Sequence, residues 1–338
     1  KMNVVLADID EKNLLKSTAE LESLGIPVLG ALLDVADEMQ WKSVADKAIE
    51  KFGKVHIVVN NAGVGGDSGP IENQETEGWQ WALGVNLMGV VYGAKVMTPL
   101  IKNHGEGGWI LNVSSMAGMG GVPYSGAYTA SKAAVVALSE SWAAELQDKR
   151  IGVSVLCPAF VQTRIYDSER NRPDKYKSEN YQIENESSFS KQTKQMVKDG
   201  IDVSIVGKRV VEAINHGELY IFTHPNYRQV NQERFNGIDE AFARSAESPL
   251  LKDIVASLDS GPVGGIMRAS VINAALEHGF KVYECTITPK EMLQADEMFL
   301  TNTIRGIQWV ASYKTKRYFH ETAKVLTQIM NDRTVKKF

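Results

Sequence analysis

Two short stretches, Asn112-Val113-Ser114-Ser115 and Tyr128-Thr129-Ala130-Ser131-Lys132, set a serine, a tyrosine and a lysine at spacings suited to proton transfer at a carbon–oxygen bond. Tyr128 and Lys132 stand four apart in a stretch without Pro or Gly, so on a helix they share a face. An ammonium there would stabilise a phenolate and make Tyr128 a usable acid or base near neutral pH. Ser115 lies thirteen residues before Tyr128, just after the apolar run from Gly108 to Val113. That run reads as a buried strand whose carboxyl end delivers a hydroxyl able to bond a substrate oxygen. Taken alone, Tyr-x-x-x-Lys also describes an ordinary surface helix pair worth roughly 0.2–0.5 kcal/mol.

The elements that must position these groups alternate. Strands are expected at Asn3–Ala7, Pro27–Leu33, Val55–Asn60, Gly108–Val113, Gly152–Cys157 and Glu218–Thr223. Helices are expected between them at Glu11–Leu24, Met39–Phe52, Trp79–Lys102 and Tyr128–Gln147. Such alternation predicts an α/β fold, a doubly wound parallel sheet with helices on both faces. From Thr163 to about Val203 the pattern turns polar, which suits either a solvated loop or a lid over a substrate. Near Pro249 and Gly261-Pro262 the character changes again, dividing the chain into 1–247 and a smaller α+β segment, 248–338.

Val55 to Gly63, a strand ending in Asn-Asn-Ala-Gly, and Gly84-Val85-Asn86-Leu87-Met88-Gly89 complete a pattern that, with Ser115, Tyr128 and Lys132, resembles the short-chain dehydrogenase/reductase family. The match runs in order from about Asn3 to Glu247. The resemblance implies a Rossmann-like fold and hydride transfer between a nicotinamide and a carbonyl or secondary alcohol. It makes Tyr128 the acid or base and Ser115 the group that orients the oxygen. Lys132 would bond the nicotinamide ribose and lower the Tyr128 pKa, and Asn86 would hold a water linking Lys132 to solvent. Asp34 and Val35 would contact adenine, while the backbone of Asn60, Ala62 and Gly63 lines the groove. Pro158 begins the segment in which Thr163 would bond the pyrophosphate or carboxamide; the family's usual Gly after that proline is Ala159 here.

Asp8, at the end of the first strand, would accept hydrogen bonds from the adenosine ribose and repel a 2′-phosphate, favouring NAD over NADP. The alternative is that Asp8 or Asp10 caps the helix starting near Glu11, for which Asp10 is better placed. A dinucleotide fold also needs a first strand and a glycine-rich turn to receive the pyrophosphate. Gly63-Val64-Gly65-Gly66 and Gly118-Met119-Gly120-Gly121 follow the wrong strands for that and read as loops over the site. The chain is therefore expected to be an N-terminal truncation, with the centre of the sheet left open between two unpaired apolar strands.

The segment 257–331 resembles the C-terminal lobe of class IV aminotransferases. That resemblance implies a remnant pyridoxal phosphate site in which Gly265, Ile266 and Met267 present helix N-terminal N–H groups and Thr303 adds a hydroxyl. The Schiff-base lysine and the acidic partner of the pyridine nitrogen would lie upstream, where dehydrogenase-like sequence stands instead. An extension used for oligomerisation is an alternative reading, and the joining of two unrelated reading frames is the simplest account of two incomplete halves. Function thus has an alternative, a pyridoxal phosphate aminotransferase or lyase. A non-catalytic binding module is a third reading, weakened because Asn86, Ser115, Tyr128 and Lys132 are all intact.

Across the 338 residues the net charge is −4 with acids and bases interspersed, which argues against nucleic-acid or membrane-surface partners and for a small-molecule alcohol or ketone. The hydrophobic fraction of 43% can fill more than one core. Cys157 and Cys285 sit in apolar runs without a metal or disulfide pattern, so a reducing cytoplasm is expected. No apolar stretch was expected to span a membrane. Val90, Val91, Ala94, Val136, Leu138 and Trp142 could pack within or between subunits, and relatives of this kind form homodimers or homotetramers.

Overall fold

The computed structural model describes residues 2–179 and 188–250, with 272, 275, 278, 299–302, 306–309, 312–313, 316–317 and 325 beyond them. The chain forms two compact units, Lys1–Phe235 and Asn236–Phe338. In the first unit, strands β1 (Val4–Asp8), β2 (Val28–Leu32), β3 (Ile57–Asn60), β4 (Gly108–Val113), β5 (Ile151–Cys157) and β6 (Tyr220–Phe222) alternate with helices. These are α1 (Glu11–Ser23), α2 (Glu38–Phe52), α3 (Thr76–Leu83), α4 (Gly89–Asn103), α5 (Gly126–Glu145), α6 (Ser188–Lys198) and α7 (Val203–Asn215). Helix α8 (Arg228–Ala246) follows.

Every pairing among β1 to β6 is parallel. The strands form two sheets, β1-β2 and β3-β4-β5-β6. Among the described residues β1 therefore pairs on one side only, and so does β3. This is the open centre expected from the sequence. Val59 of β3 is half exposed in consequence. The two sheets nevertheless share a core: Ala31 and Leu33 pack with Trp41, Val44, Val58, Met97, Ile101 and Ile110, and Val5 joins them. Burial on both faces explains the near-continuous apolar runs of β4 and β5, because Ile110 serves that core while its neighbour Leu111 packs with Leu156, Val206 and Ile221 on the other side.

Local signals account for the helix ends. Asp10 caps α1, accepting from the Asn13 N–H at 3.1 Å, and Asp37 caps α2 through Met39. Gly53 ends α2 in the left-handed conformation, at φ 78°. The helix expected over Trp79–Lys102 is α3 and α4 joined by a π-helical turn, Gly84–Met88. The joined run, Thr76–Asn103, is long and apolar enough to cross a membrane by length and composition, contrary to expectation. Its apolarity serves the fold, since Trp81, Ala82, Val90, Ala94, Met97 and Ile101 are all buried within the first unit. Val90, Ala94 and Val136, which could have packed between subunits, are thus spent inside one.

The polar segment after β5 is ordered over its first part as 3₁₀ turns at Ile165–Asn171 and Asp174–Tyr176. In the second unit the described residues include two antiparallel pairs, Phe299–Asn302 with Gly306–Trp309 and Ser312–Tyr313 with Lys316–Arg317. The proposed phosphate-binding residues Gly265, Ile266, Met267 and Thr303 lie outside the described residues, as does Cys285.

Candidate active site

Parallel strands deliver their carboxyl ends to one edge, and the candidate residues gather there. Ser115 follows β4 in extended backbone and caps the 3₁₀ turn Met116–Gly118, its Oγ accepting from the Ala117 N–H at 3.1 Å. That Oγ also donates to the Pro158 carbonyl at 3.4 Å, which ties the ends of β4 and β5 together. Tyr128 lies in the first turn of α5, with the Ser115 hydroxyl close enough to its phenol to lower the phenol's pKa. The fold thus brings together two residues that stand thirteen positions apart.

One turn further along α5, Lys132 is almost wholly buried. Its Nζ donates to the Val113 carbonyl at 2.9 Å and lies 5.7 Å from the Tyr128 ring centroid. Burial pushes the lysine down to about 8. The same cause raises the Tyr128 phenol above its ordinary value, offset in part by the nearby Ser115 hydroxyl. The expected lowering of Tyr128 by Lys132 is therefore corrected for the protein alone: desolvation dominates the phenol, and the ammonium is directed at a backbone carbonyl.

Asn86 is fully buried in the π-helical turn. Its Oδ1 accepts from the Val64 N–H at 2.8 Å, and its Nδ2 donates to the Val64 carbonyl at 3.0 Å and to Ser131 Oγ at 3.2 Å. Ser131 donates in turn to the Tyr128 carbonyl at 2.7 Å. An extra residue per turn is a common device for aiming a side chain at a functional site. Here it clamps the loop after β3 onto α5. Gly63 lies in that loop so close that a Cβ would meet Asn86 Oδ1 and Lys132 Nζ, each at 3.4 Å.

The residues expected to bind the cofactor divide into groups. Asn60 ends β3 and Ala62 and Gly63 follow it, and Pro158 and Thr163 follow β5, all at the same edge as Ser115. Asn60 also donates through Nδ2 to Asn112 Oδ1 at 2.8 Å, and Asn112 donates to Ser139, a buried amide chain that fixes β3 on β4 and α5. Asp8 ends β1, its carboxylate accepting only from the Asp10 N–H, at 2.8 Å, among the described hydrogen bonds. The cap of α1 is Asp10, so Asp8 remains available to a ligand. Asp34 and Val35 follow β2; Asp34 accepts from the Ala36 N–H at 3.0 Å and faces Lys175 Nζ at 3.6 Å.

These positions suit a dinucleotide on structural grounds: a glycine whose missing Cβ leaves room beside Lys132, and a carboxylate at the end of β1 that accepts from one backbone N–H and has further acceptor capacity. They lie along the strand carboxyl ends, the usual binding place in an open α/β sheet.

Sequence reasoning missed three contributors. Ser131 links Asn86 to Tyr128, yet one more serine on a helix carries no signal in the sequence. Arg172 is buried, pairs with Asp67 at 2.7 Å and stacks 5.0 Å from the Trp81 ring. It anchors the segment after β5 to the loop after β3, a contact separated by more than a hundred residues. Ser168 adds to it by accepting from the Gly65 N–H at 3.0 Å. Cys157, in the strand expected for it, is buried beside Lys132, and burial pushes its thiol up to about 12.

Residues 1–174 match the sequence model for short chain dehydrogenases, and residues 253–313 match that for class IV amino-transferases. The CLA biosynthesis dehydrogenase/reductase of Lactiplantibacillus plantarum is 34% identical over 245 residues, covering 70% of this chain and 84% of that protein. The C alpha-dehydrogenase of Sphingobium sp. is 31% identical over 271 residues, 80% of this chain and 84% of its own. Among solved structures, a short chain dehydrogenase/reductase from Burkholderia phymatum in complex with NAD is 37% identical. It aligns with a TM-score of 0.69 over 71% of this chain and 86% of that one. The chain belongs to the short-chain dehydrogenase/reductase family. It is an NAD(P)-dependent oxidoreductase acting on small-molecule alcohols or ketones.

Proposed function

We propose that this chain interconverts a secondary alcohol and a ketone with NAD as the preferred cofactor, using Tyr128 as the proton-transferring group. The observation that carries this is the convergence of Ser115, at the end of β4, with Tyr128 and the buried Lys132 on α5. A nicotinamide, when bound, exchanges the hydride with the substrate carbon. Tyr128 exchanges the proton at the substrate oxygen while Ser115 holds and polarises that oxygen. Lys132, brought to about 8 by burial, sits where it can bond a ribose hydroxyl and pass a proton. Asn86 holds the Val64 backbone next to Lys132, and a water on that backbone would connect the lysine to solvent. Asp34 and Val35 contact adenine, the backbone of Asn60, Ala62 and Gly63 lines the groove, and Thr163, in the segment that begins at Pro158, bonds the pyrophosphate or the carboxamide.

The preference for NAD rests on Asp8, whose carboxylate at the end of β1 would accept from ribose hydroxyls and repel a 2′-phosphate. Its support among relatives is the NAD complex named above. We assign this activity to residues 1–247. A homodimer or homotetramer and a cytoplasmic location fit the reading, the latter through the buried free thiol of Cys157.

Fluorescence titration of the full chain with NADH and NADPH, followed by assays with secondary alcohols, tests it. NADH should bind more tightly than NADPH, and Asp8→Asn should narrow the gap. Tyr128→Phe should lower kcat by about 10²–10⁴-fold while leaving NADH affinity within about twofold. Turnover retained by that variant would remove Tyr128 from the chemistry.

A further inference from the structure

At the opposite edge of the same sheet, where β3 and β4 begin, the sequence places His56 just before β3, His104 at the end of α4 and Glu106 just before β4. One ligand atom from each lies within 4.8 Å of the others. We propose that these three residues form a site for a divalent transition-metal ion of the Zn²⁺ type, which staples the start of β3 to the α4–β4 turn.

His56 Nε2 stands 2.8 Å from Glu106 Oε2, and the two imidazole rings have their centroids 4.5 Å apart. His104 Nε2 lies 2.9 Å from the Val55 carbonyl, so this nitrogen carries the proton and donates it. His104 Nδ1 then bears a lone pair, consistent with its accepting the Glu106 N–H at 3.2 Å. A ring nitrogen donating to a backbone carbonyl while the other faces the ion is the usual support of a metal-bound histidine. Two imidazoles and one carboxylate suit zinc, whereas calcium and magnesium select oxygen.

Two ligands of one zinc ion stand at most about 4.2 Å apart, twice a bond of ~2.1 Å. In a tetrahedral site the ligand atoms stand about 3.4 Å apart, so a pair as wide as 4.8 Å must close by roughly 1.4 Å, a movement within reach of the exposed His56 and Glu106 side chains. Two contacts oppose the ion. Lys54 Nζ pairs with the other oxygen of Glu106, and the Glu106 N–H occupies the His104 lone pair. Both can be displaced at an exposed position, and both weaken the site. The fourth position is left for water. The benefit falls on β3, which pairs only with β4 among the described residues and so gains a second attachment. At about 3.3 Å per residue, β4 separates this site from Ser115 by roughly 20 Å.

The test is calorimetric titration of the full chain, stripped of metal with a chelator, using ZnCl₂ and then MgCl₂. We expect one saturable Zn²⁺ site, no comparable Mg²⁺ binding, and a rise in Tm with Zn²⁺. His56→Gln/His104→Gln should lose that site and the Tm rise while keeping a native circular dichroism spectrum. Lys54→Met should tighten Zn²⁺ binding by about threefold or more, because it removes a competing cation next to the ligand. Unchanged Zn²⁺ stoichiometry in the double histidine variant, weaker binding in Lys54→Met, or no saturable binding by the folded parent would each overturn the proposal.

Discussion

The difference between Tyr128 and Lys132 in the protein alone is one of sign. Burial opposes the charged form of both, so the phenol rises and the ammonium falls to about 8 from an ordinary 10.5. Cys157 rises to about 12 from 9.0. Between pH 8 and 9 only Lys132 differs in protonation, and the unfolded chain holds the extra proton, so folding stability should increase with pH there. From about pH 9 the folded chain holds a proton on Cys157, and from about pH 10 on Tyr128 and Tyr220, that the unfolded chain releases, so the rise is first cancelled and then reversed. Urea midpoints measured from pH 7.5 to 11 should therefore pass through a maximum between about 9 and 10.5. The rising limb is at most about 1.4 kcal/mol per pH unit for one proton. Lys132→Met should abolish that limb and leave the fall; a limb that persisted would assign it to another group.

The element whose placement depends most on a single contact is the 3₁₀ segment Ile165–Asn171 with the turn behind it. Arg172 holds it by pairing with Asp67 and Glu169 and by donating to the Tyr176 carbonyl at 2.9 Å. Removing a partner from a buried guanidinium costs about 1–3 kcal/mol. Asp67→Ala should therefore lower stability by that amount and raise KM for the alcohol more than it lowers kcat. Gly78 tests the same contact from the other side, since a Cβ there would fall 1.6 Å from Asp67 Oδ2. Gly78→Ala should reproduce the stability loss, whereas Gly207→Ala, where a Cβ meets open space, should be neutral or slightly stabilising on its helix. Equal losses from both glycine variants would argue against the Asp67 contact as the cause.

For the first unit as a whole, the consequence of two sheets is uneven stability. β4 and β5 are paired on both sides, but β1 and β3 are each paired on one side among the described residues. Amide hydrogens in β1 and β3 should exchange at least about tenfold faster than those of Ile110–Asn112 and Val153–Leu156, a difference of ~1.4 kcal/mol in local opening. Exchange followed by peptide mass spectrometry reads this directly. If cofactor binding bridges the two sheets, NADH should slow exchange at β3 and at the Asp8 end of β1 more than at β5.

Much of this was written in the chain itself. Alternating apolar runs of strand and helix length specified the parallel α/β order, because burial on both faces demands such runs. Asp10 was recognisable as a cap from its place before Glu11. The four-residue spacing of Tyr128 and Lys132 put them on one helix face, and the apolar run before Ser115 put that hydroxyl at a strand end. The π-helical turn under Asn86 could not be read, since an extra residue per turn depends on what the turn packs against rather than on its composition. The Arg172–Asp67 pair was equally hidden, because residues more than a hundred apart meet only after the sheet has set both loops at one edge. The direction of the Tyr128 shift was misjudged for the same physical reason. Spacing identifies which charge is near a phenol, but only the packed interior decides how much water has been removed from it.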